Sequence, residues 1–403
     1  MRESERWEER VTITEVPSRA ELVAAARNTV PALREHAPWS ERNGRLHDDA
    51  VAALAEAGMF RLRLPARYGG FESDARTVVD AVAELAAGDA SAAWVVGVNA
   101  ITTWMAALLP DEVQDEVFAT PDVRLCGTLS PTGMGVPADG GLVLNGKWGF
   151  ISGAPHSHWQ VVIAVAPAPG GDFWPVMAVV PMSDLTTVDD WDTSGLRGTG
   201  SVSTVAENVF VPERRILPLP LVLAGQYASR ANAASPVWRA PLLPTASALS
   251  VGTAVGLAAA AKAEFLDRLP TRKITYTSYE EQSEAPVTHL QLADAAMRID
   301  EAFFHAHRLA DLVDSKGASG APWSAEERAV ARADMGRAVR LAKQAVDLLA
   351  GASGGSSIYS SVPIQRILRD VQAITMHALM NPDTNDELYG RVLCGLEPNT
   401  LYF

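Results

Sequence analysis

Two His-X-His pairs are the first residues in this chain whose type and spacing could do chemistry. His305 and His307 fall in a run with helical spacing, where positions i and i+2 point about 200° apart, so the two rings cannot easily face one ion. His156 and His158 fall in a loop-like stretch where they could converge, but no Asp, Glu or Cys cluster accompanies them. We therefore predict no metal site.

Nucleotide-binding and nucleophile motifs give a second test. The chain has no GxGxxG after a strand and no GxxxxGK[ST], and its Gly-Thr-Gly at 198–200 lies in a strand-like stretch. It also has no GxSxG, and spacing alone does not assemble a Ser-His-Asp triad. Four tryptophans lie in or beside turns of the strand-rich part, where they could either pack in the core or stack on a flat ligand: Trp148, Trp159, Trp174 and Trp191.

Composition and charge exclude several classes of protein. The 403 residues are 48% hydrophobic and 20% charged, which is typical of a globular protein. A net charge of −14 repels phosphate backbones and anionic lipid, so we expect neither nucleic acid nor a membrane as partner. Cys126 and Cys394 form no disulfide framework, and the opening MRESERWEER is too charged for a signal peptide. The longest apolar run, 246–261, is shorter than the roughly 20 residues that span a bilayer. These features predict a cytoplasmic location.

The elements that must position any site follow an order of helices, strands and helices. Residues 1–122 are predicted as a helical domain, 123–220 as a central β domain and 221–403 as a helical bundle. Strand-like runs without helices between them favour an antiparallel sheet, with Asn145-Gly146 as a two-residue hairpin turn. Long helices are expected over 288–313, 324–349 and 363–380.

Four segments in this order carry a resemblance to a known family. Residues 67–70 read RYGG, 126–159 read CGTLSPTGMGVPADGGLVLNGKWGFISGAPHSHW, 191–215 read WDTSGLRGTGSVSTVAENVFVPERR, and 352–377 read ASGGSSIYSSVPIQRILRDVQAITMH. Together they resemble the acyl-CoA dehydrogenase superfold and, within it, the two-component flavin-dependent monooxygenases that are similar to indole, phenol and dibenzothiophene hydroxylases. The resemblance implies an α+β fold with an N-terminal helical domain, a central antiparallel β-barrel domain and a C-terminal four-helix bundle.

The resemblance also implies a flavin site. The cofactor would be FAD or FMN in its reduced form, with FADH2 preferred, and O2 would be the co-substrate. Ser152 falls where the family places a hydroxyl beside flavin N5, where it can accept from the N–H of reduced flavin. Arg272 would face the flavin phosphates, although the family pattern around it is broken. The remaining cofactor-binding positions that the resemblance implies are Thr128, Leu129, Ser130, Trp148, Gly354 and Gly355.

A missing carboxylate separates this chain from most acyl-CoA dehydrogenases. Counted from Arg369-Asp370, the family's Tyr-Glu-Gly slots hold His377, Ala378 and Leu379. An alanine cannot take a proton from a thioester, whereas a histidine can act as base or acid near neutral pH. We therefore predict His377 as the proton-transfer group.

Three further residues complete the predicted catalytic and substrate sites. Asp370 is expected about two turns before His377 on the same helix face, and Asn99 occupies a position where relatives carry a histidine. With His377 and Ser152 they form the predicted catalytic set. Trp104 and Trp191 are predicted to contact the substrate together with Asn99 and His377.

The sequence thus predicts a reduced-flavin-dependent monooxygenase that hydroxylates an indole-like or polycyclic aromatic through a flavin C4a-hydroperoxide. A separate NAD(P)H flavin reductase is the expected partner, because the chain carries no nicotinamide motif, and a homotetramer is the expected assembly. An acyl-CoA dehydrogenase with a relocated base and an amino-sugar N-oxygenase on the same fold stay open as alternatives. A non-catalytic binding module is a further possibility, against which Ser152 and His377 argue.

Overall fold

The computed structural model describes residues 16–120, 122–168 and 170–403. The charged segment 1–15, on which the argument against a signal peptide depends, lies outside these residues. Five helices form the N-terminal part of the described chain: α1 (Arg19–Asn43), α2 (Asp48–Glu56), α3 (Ala75–Ala86), α4 (Ala90–Ala106) and α5 (Asp111–Val117).

Polar caps set where these helices begin. Ser18 starts α1 with a capping box, since its hydroxyl accepts from the Glu21 N–H while the Glu21 carboxylate accepts from the Ser18 N–H. Asp89 caps α4 by accepting from the Ser91 N–H at 2.9 Å. Helix α4 is buried almost throughout, because the other parts of the molecule pack around it.

The central part is an eight-stranded sheet. Its strands are β1 (Leu125–Gly127), β2 (Gly133–Ala138), β3 (Gly141–Trp148), β4 (Trp159–Pro167), β5 (Phe173–Pro181), β6 (Thr186–Val188), β7 (Ser203–Pro212) and β8 (Ile216–Pro218). The order is β6-β7-β3-β2-β4-β5-β8, with β1 pairing with β4 outside this path. The sheet is mainly antiparallel, as predicted, but β1 and β2 both run parallel to β4.

The predicted hairpin turn at Asn145-Gly146 is wrong. Both residues lie inside β3, and the chain reverses between β2 and β3 at Asp139-Gly140 instead, where Gly140 has φ +74°. Gly146 is needed for another reason: a Cβ there would lie 2.5 Å from the Cα of Gly133 on the neighbouring strand. The ladder between β3 and β7 also shifts register beside it, so the Asn-Gly pair marks an irregular strand.

The C-terminal part is helical from Leu219 onwards. It contains α6 (Leu219–Leu223), α7 (Leu242–Arg268), α8 (Pro286–Ser319), α9 (Ala325–Ala352), α10 (Pro363–Thr375) and α11 (Pro382–Leu393). Helices α7 to α10 pack as the expected four-helix bundle, and α11 lies on α9. The predicted helix over 363–380 is too long, since α10 ends at Thr375 and a turn follows.

Helix α7 and the short stretch after it, Leu242–Thr271, are long and apolar enough to cross a membrane by composition. However, 94% of its most apolar window is buried inside the molecule. Small residues allow this burial, because a Cβ at Gly256 would lie 2.3 Å from the carbonyl oxygen of Ala83 on α3. The helix is therefore the core of the bundle, as its Ala- and Gly-rich sequence predicts.

Candidate active site

Ser152 lies in a tight turn that follows β3. Phe150 and Gly153 both adopt positive φ, +62° and +78°, which bends the chain sharply on either side of the serine. The turn is fastened to the segment before β7, since the Gly153 N–H donates to the Thr199 carbonyl at 2.8 Å. Ser152 is 6% exposed, and its Oγ accepts from the indole N–H of Trp94 at 3.0 Å.

His377 contacts the same tryptophan. It sits in the turn after α10, and its ring meets the Trp94 ring edge-to-face with centroids 5.2 Å apart. The Nδ1 atom accepts from the Leu379 N–H at 3.2 Å, which leaves the proton of the neutral ring on Nε2. The low-polarity surroundings lower the pKa of His377 to about 4, so the ring is neutral at physiological pH although its edge is exposed.

The two predicted catalytic side chains are thus bridged by Trp94, a residue that the sequence did not single out. Trp94 lies in the first turn of α4 and is 7% exposed. Only Val98 and Ile101 within α4 keep partly exposed surface, and they lie four and seven positions later on the same face. The floor beside Ser152 and His377 is therefore apolar.

Asn99 points away from this floor. Its Oδ1 accepts from the Leu125 N–H at 2.9 Å and its Nδ2 donates to the Phe60 carbonyl at 3.2 Å. It is 2% exposed. Both ends of the amide are occupied by main chain, so Asn99 holds β1 against α4, and its predicted catalytic and substrate roles are not supported by its position. Periodicity explains the error, because neighbouring helix positions point about 100° apart.

Asp370 also turns away from His377. Its Oδ1 accepts from the Leu196 N–H at 2.6 Å, and burial raises its pKa to about 7. Leu196 has φ +51°, so the carboxyl group secures a bent loop. The loop packs so closely on α10 that a Cβ at Gly195 would lie 2.1 Å from the Arg369 carbonyl oxygen. Asp370 is a residue that positions the loop, and the expected shared helix face with His377 is lost because α10 ends first.

Two of the predicted tryptophans are core residues. Trp148 and Trp104 are both 0% exposed, and each indole N–H donates to a buried carbonyl at 2.8 Å, that of Ile163 and of Val237 respectively. Neither indole reaches the surface beside Ser152, which corrects the predicted flavin contact of Trp148 and the substrate contact of Trp104.

An aromatic pair replaces them at the mouth of the site. Trp191 is partly exposed, as a substrate contact requires, and its N–H donates to the Leu196 carbonyl at 3.2 Å. Phe150 is 74% exposed and meets Trp191 edge-to-face at 5.8 Å. The sequence missed Phe150, and the signal that could have found it is the position between Gly149 and Gly153 two residues before the predicted N5 serine.

The loop of Thr128, Leu129 and Ser130 follows β1 and keeps polar groups accessible. Thr128 Oγ1 accepts from the Ser130 N–H at 3.3 Å, and the Leu129 carbonyl accepts from the Tyr402 hydroxyl. The loop is carried by α4, since Thr102 donates to the Leu125 carbonyl at 3.0 Å. Leu129 and Leu379 pack on the same apolar cluster, so the loop and the His377 turn rest on a shared part of the core.

The residues predicted for the flavin tail lie together but at a distance from the ring site. Arg272 donates to the Ser356 hydroxyl at 2.6 Å and to the Ser353 carbonyl. Gly354 has φ +69° and ψ 177°, a backbone conformation that is essentially restricted to glycine. This cluster, with Gly355, precedes α10, whose 13 residues span about 20 Å before the His377 turn.

The histidines considered as metal ligands are engaged elsewhere. His305 bonds to Asp334 at 2.8 Å and His307 to Asp80 at 2.9 Å, on different neighbouring helices, as the i, i+2 argument expects. Among the described residues, one group that could hold an ion brings its ligand atoms within 4.8 Å: His36, His47 and Asp49. The Nδ1 atom of His47 already accepts from the Asp49 N–H as the cap of α2.

A cavity of about 450 Å³ lies at the far end of α4. It is lined by Leu108, Tyr227, Trp238 and others, and the Tyr227 hydroxyl already donates to the Ala240 carbonyl at 3.1 Å. Because the 17 residues of α4 span about 25 Å, this cavity is separate from the site around Trp94, Ser152 and His377, where the cleft for flavin and substrate is expected.

Comparisons with known proteins identify relatives in sequence and in overall fold. The acyl-CoA dehydrogenase N-terminal domain matches residues 18–120 and the acyl-CoA dehydrogenase C-terminal domain matches 248–382. The FADH(2)-dependent resorcinol hydroxylase oxygenase component of Rhizobium sp. is 32% identical over 94% of this chain and 96% of its own length. The HsaA oxygenase subunit of Mycobacterium tuberculosis is 31% identical over 94% and 96%. The structure of XiaF from Streptomyces sp., in complex with FADH2 and glycerol, superposes with a TM-score of 0.90 at 30% identity, covering 95% of this chain and 97% of XiaF.

Proposed function

This chain belongs to the acyl-CoA dehydrogenase family, in its branch of two-component flavin-dependent monooxygenases, and from that premise we propose that it hydroxylates an indole-like or polycyclic aromatic compound. It is an oxygenase component, so a separate NAD(P)H flavin reductase supplies reduced flavin, with FADH2 preferred over FMN. O2 is the co-substrate, and bound reduced flavin would activate it at C4a. The place of action is the cytoplasm.

The observation that carries the proposal is that Ser152 and a neutral His377 both contact Trp94. A dehydrogenase of the common kind would need a carboxylate where Ala378 stands, and the carboxyl group on the preceding helix, Asp370, is bonded to Leu196 instead. This arrangement favours oxygen transfer over removal of a proton from an acyl thioester.

The residues present fit a flavin. A buried hydroxyl faces the cleft from the Ser152 turn, and the Thr128 loop offers polar groups on the neighbouring wall. Reduced flavin bound there would supply the chemistry, since it reacts with O2 and delivers one oxygen atom to an aromatic ring while the other leaves as water. Ser152 would hold the N5 edge, and the exposed Phe150 would pack on the ring system in the place first expected for Trp148.

His377 would act on the substrate. Its neutral ring presents an N–H at Nε2, which can donate a hydrogen bond to a phenol oxygen and stabilise negative charge that develops there. It can accept a proton from substrate only if the bond between Nδ1 and the Leu379 N–H rearranges. The low pKa keeps the ring uncharged, which suits an apolar, aromatic substrate.

The walls of the cleft support a flat apolar substrate. Val98 and Ile101 form its floor, and Trp191 with Phe150 offers aromatic edges at its mouth. An amino-sugar N-oxygenase would need carboxylates for an ammonium group, and the side chains that form this floor are hydrocarbon. We therefore rank ring hydroxylation above N-oxygenation.

A homotetramer completes the proposal. Helix α8 carries an exposed apolar stripe at seven-residue spacing, with Leu290 74%, Met297 59% and Phe304 59% exposed. Such a stripe is typical of a helix that packs on another helix. In such an assembly, Arg272 and the Gly354-Gly355 turn would contact the phosphate-bearing tail of a flavin whose ring lies in a second copy, because helix α10, about 20 Å long, lies between that turn and His377 along the chain.

The decisive experiment mixes purified protein and chemically reduced FAD with ¹⁸O2 in the presence of indoles, phenols and polycyclic aromatics. We expect one ¹⁸O atom in a hydroxylated ring, and we expect no turnover with NADH until a flavin reductase is added. Desaturation of an acyl-CoA by the protein with oxidised FAD would identify a dehydrogenase. Oxygen appearing on the nitrogen of an amino sugar would identify an N-oxygenase.

A further inference from the structure

A chain of hydroxyl groups runs from Ser152 into the interior of the molecule. Ser152 Oγ lies 2.7 Å from Ser201 Oγ, and Ser201 Oγ lies 2.6 Å from Thr199 Oγ1. Thr199 Oγ1 then reaches the carbonyl oxygen of Leu196 at 2.8 Å. At the other end, the Trp94 N–H donates to Ser152. The chain is therefore closed by a group that only donates, Trp94, and by a carbonyl that only accepts.

Each hydroxyl has one proton, so the chain can be oriented in two ways. If Thr199 donates to the Leu196 carbonyl, Ser201 donates to Thr199 and Ser152 donates to Ser201, and four hydrogen bonds form. If the chain is reversed, Thr199 donates to Ser201 and Ser201 to Ser152, and three bonds form because the Leu196 carbonyl loses the Thr199 proton. The first orientation is favoured by one hydrogen bond.

Because the three hydroxyl groups are buried, water cannot replace the hydrogen bond that the reversed orientation lacks. Thr199 is 1% exposed, Ser201 3% and Ser152 6%. Inside the protein, hydrogen bonds in a chain polarise one another, and an unpaired group has no solvent to turn to. The orientation of the Ser152 hydroxyl is therefore set by Ser201, which contacts it, and by Thr199, the next side chain in the series.

We propose that Ser201 and Thr199 are positioning residues that make Ser152 an acceptor toward the cleft and so select reduced flavin over oxidised flavin. The inference rests on the proposed function, in which Ser152 faces flavin N5. In the favoured orientation Ser152 receives from Trp94, donates to Ser201 and keeps one lone pair for the cleft. Reduced flavin carries an N–H at N5 that can donate to this lone pair, whereas oxidised flavin has only a lone pair there.

Counting bonds gives the size of the effect. With reduced flavin the chain makes five hydrogen bonds, including the one from N5. With oxidised flavin it makes four in either orientation, since Ser152 can donate to N5 only after the chain reverses. One neutral hydrogen bond corresponds to about a 2- to 13-fold preference for reduced flavin. For a two-electron couple this range equals about 9–33 mV in the potential of bound flavin.

Removing the far end of the chain tests this without touching the cleft. Thr199→Val keeps the branched shape and deletes the hydroxyl that anchors the chain, while the Leu196 carbonyl keeps the Trp191 N–H and the Thr199 N–H as donors. Reduced and oxidised flavin then make equal numbers of bonds. Ser201→Ala removes the middle hydroxyl instead, and reduced and oxidised flavin again make equal numbers of hydrogen bonds. Thr204→Val is the matched control, since Thr204 is 0% exposed and its Oγ1 has no hydrogen-bond partner within the described residues.

The measurement is the binding constant of each variant for oxidised FAD in air and for reduced FAD under anaerobic conditions, together with the potential of the bound flavin. We expect Thr199→Val and Ser201→Ala to lower the reduced-to-oxidised affinity ratio about 2- to 13-fold and the potential by the corresponding amount. Thr204→Val should keep both values. A ratio that stays at the wild-type value in both chain variants, in protein that binds flavin normally, would overturn the relay while leaving the proposed function intact. A wild-type protein that binds neither form of flavin would overturn both.

Discussion

Replacing Asp370 by asparagine tests whether the carboxyl group of this residue supports the fold or takes part in catalysis. Asp370 is 3% exposed, accepts from the Leu196 N–H, and lies near a second buried carboxyl group, Asp89, whose pKa burial raises to about 6. Asparagine keeps an oxygen for Leu196 and an N–H in place of the acid proton. It therefore imitates the protonated form that the fold prefers.

The magnitude follows from the pKa of Asp370, which burial raises from 3.8 to about 7. Between these values the unfolded chain has released the proton and the folded chain still holds it, so folding stability falls as the pH rises. The contribution of the Asp370 proton to the free energy of unfolding is fully present below about pH 4 and is lost by about pH 7. Three pKa units at about 1.36 kcal/mol each amount to about 4 kcal/mol. Asp370→Asn should remove this loss.

Urea unfolding of the flavin-free protein at pH 5 and pH 8 measures the effect. Two of the three pKa units lie between these conditions, so Asp370→Asn should gain about 3 kcal/mol relative to wild type on going from pH 5 to pH 8. Asp383→Asn is the control, because the Asp383 side chain is 92% exposed beside Arg340 and its loss should change little. A variant that is destabilised more at pH 8 than at pH 5 would refute the reasoning, since Asp370 would then be ionised and stabilised in the fold.

The same variant tests whether Asp370 takes part in proton transfer. Because the amide can still hold Leu196, we expect hydroxylation to persist within a few-fold of wild type. A loss of about 10²–10⁴-fold, with flavin binding unchanged, would return Asp370 to the catalytic role predicted from the sequence.

Four further variants, one of them a double substitution, test the other assignments. His377→Ala should lower hydroxylation about 10²–10⁴-fold while flavin binding persists. The hydroxylation rate of the wild type should be flat from pH 5 to 8 and fall only near pH 4, where the neutral His377 ring gains a proton. A wild-type rate that rises with a pKa near 6.5 would contradict this assignment. Ser152→Ala should increase peroxide release and lower coupling about 2- to 13-fold, one neutral hydrogen bond, as judged by product formed per O2 consumed. Leu290→Glu combined with Met297→Glu should convert a tetramer to smaller species in light scattering, whereas an unchanged mass would exclude the α8 stripe as an interface. Arg272→Ala should weaken FAD binding more than riboflavin binding, and equal effects on both would place the phosphates elsewhere.

Local sequence predicted the helices and strands and singled out Ser152 and His377. Ser18 and Asp89 begin helices because their side chains accept from N–H groups within three residues. Such local caps can be predicted from the sequence. The order of helices, strands and helices follows from hydrophobic periodicity and turn residues. Ser152 and His377 were identified by the order of short motifs, and the structure brings both to Trp94.

Only the tertiary structure decided which polar and aromatic side chains face the cleft. Asn99 and Val98 are neighbours in the chain, but one bonds to main chain and the other lines the floor, because a helix turns about 100° at each residue. Trp148 and Phe150 lie two positions apart, yet one is 0% and the other 74% exposed, since a positive φ at Phe150 redirects the chain as it leaves the sheet.

Long-range contacts settled the rest. Asp370 meets Leu196 across 174 positions and Ser152 meets Ser201 across 49, so their partners are set by packing between segments far apart in the chain and not by local pattern. The end of α10 at Thr375 moved His377 off the helix face that it was expected to share with Asp370. A residue's type can be read from the chain, whereas its burial, its pKa and the direction of its proton depend on neighbours that the chain brings together only by folding.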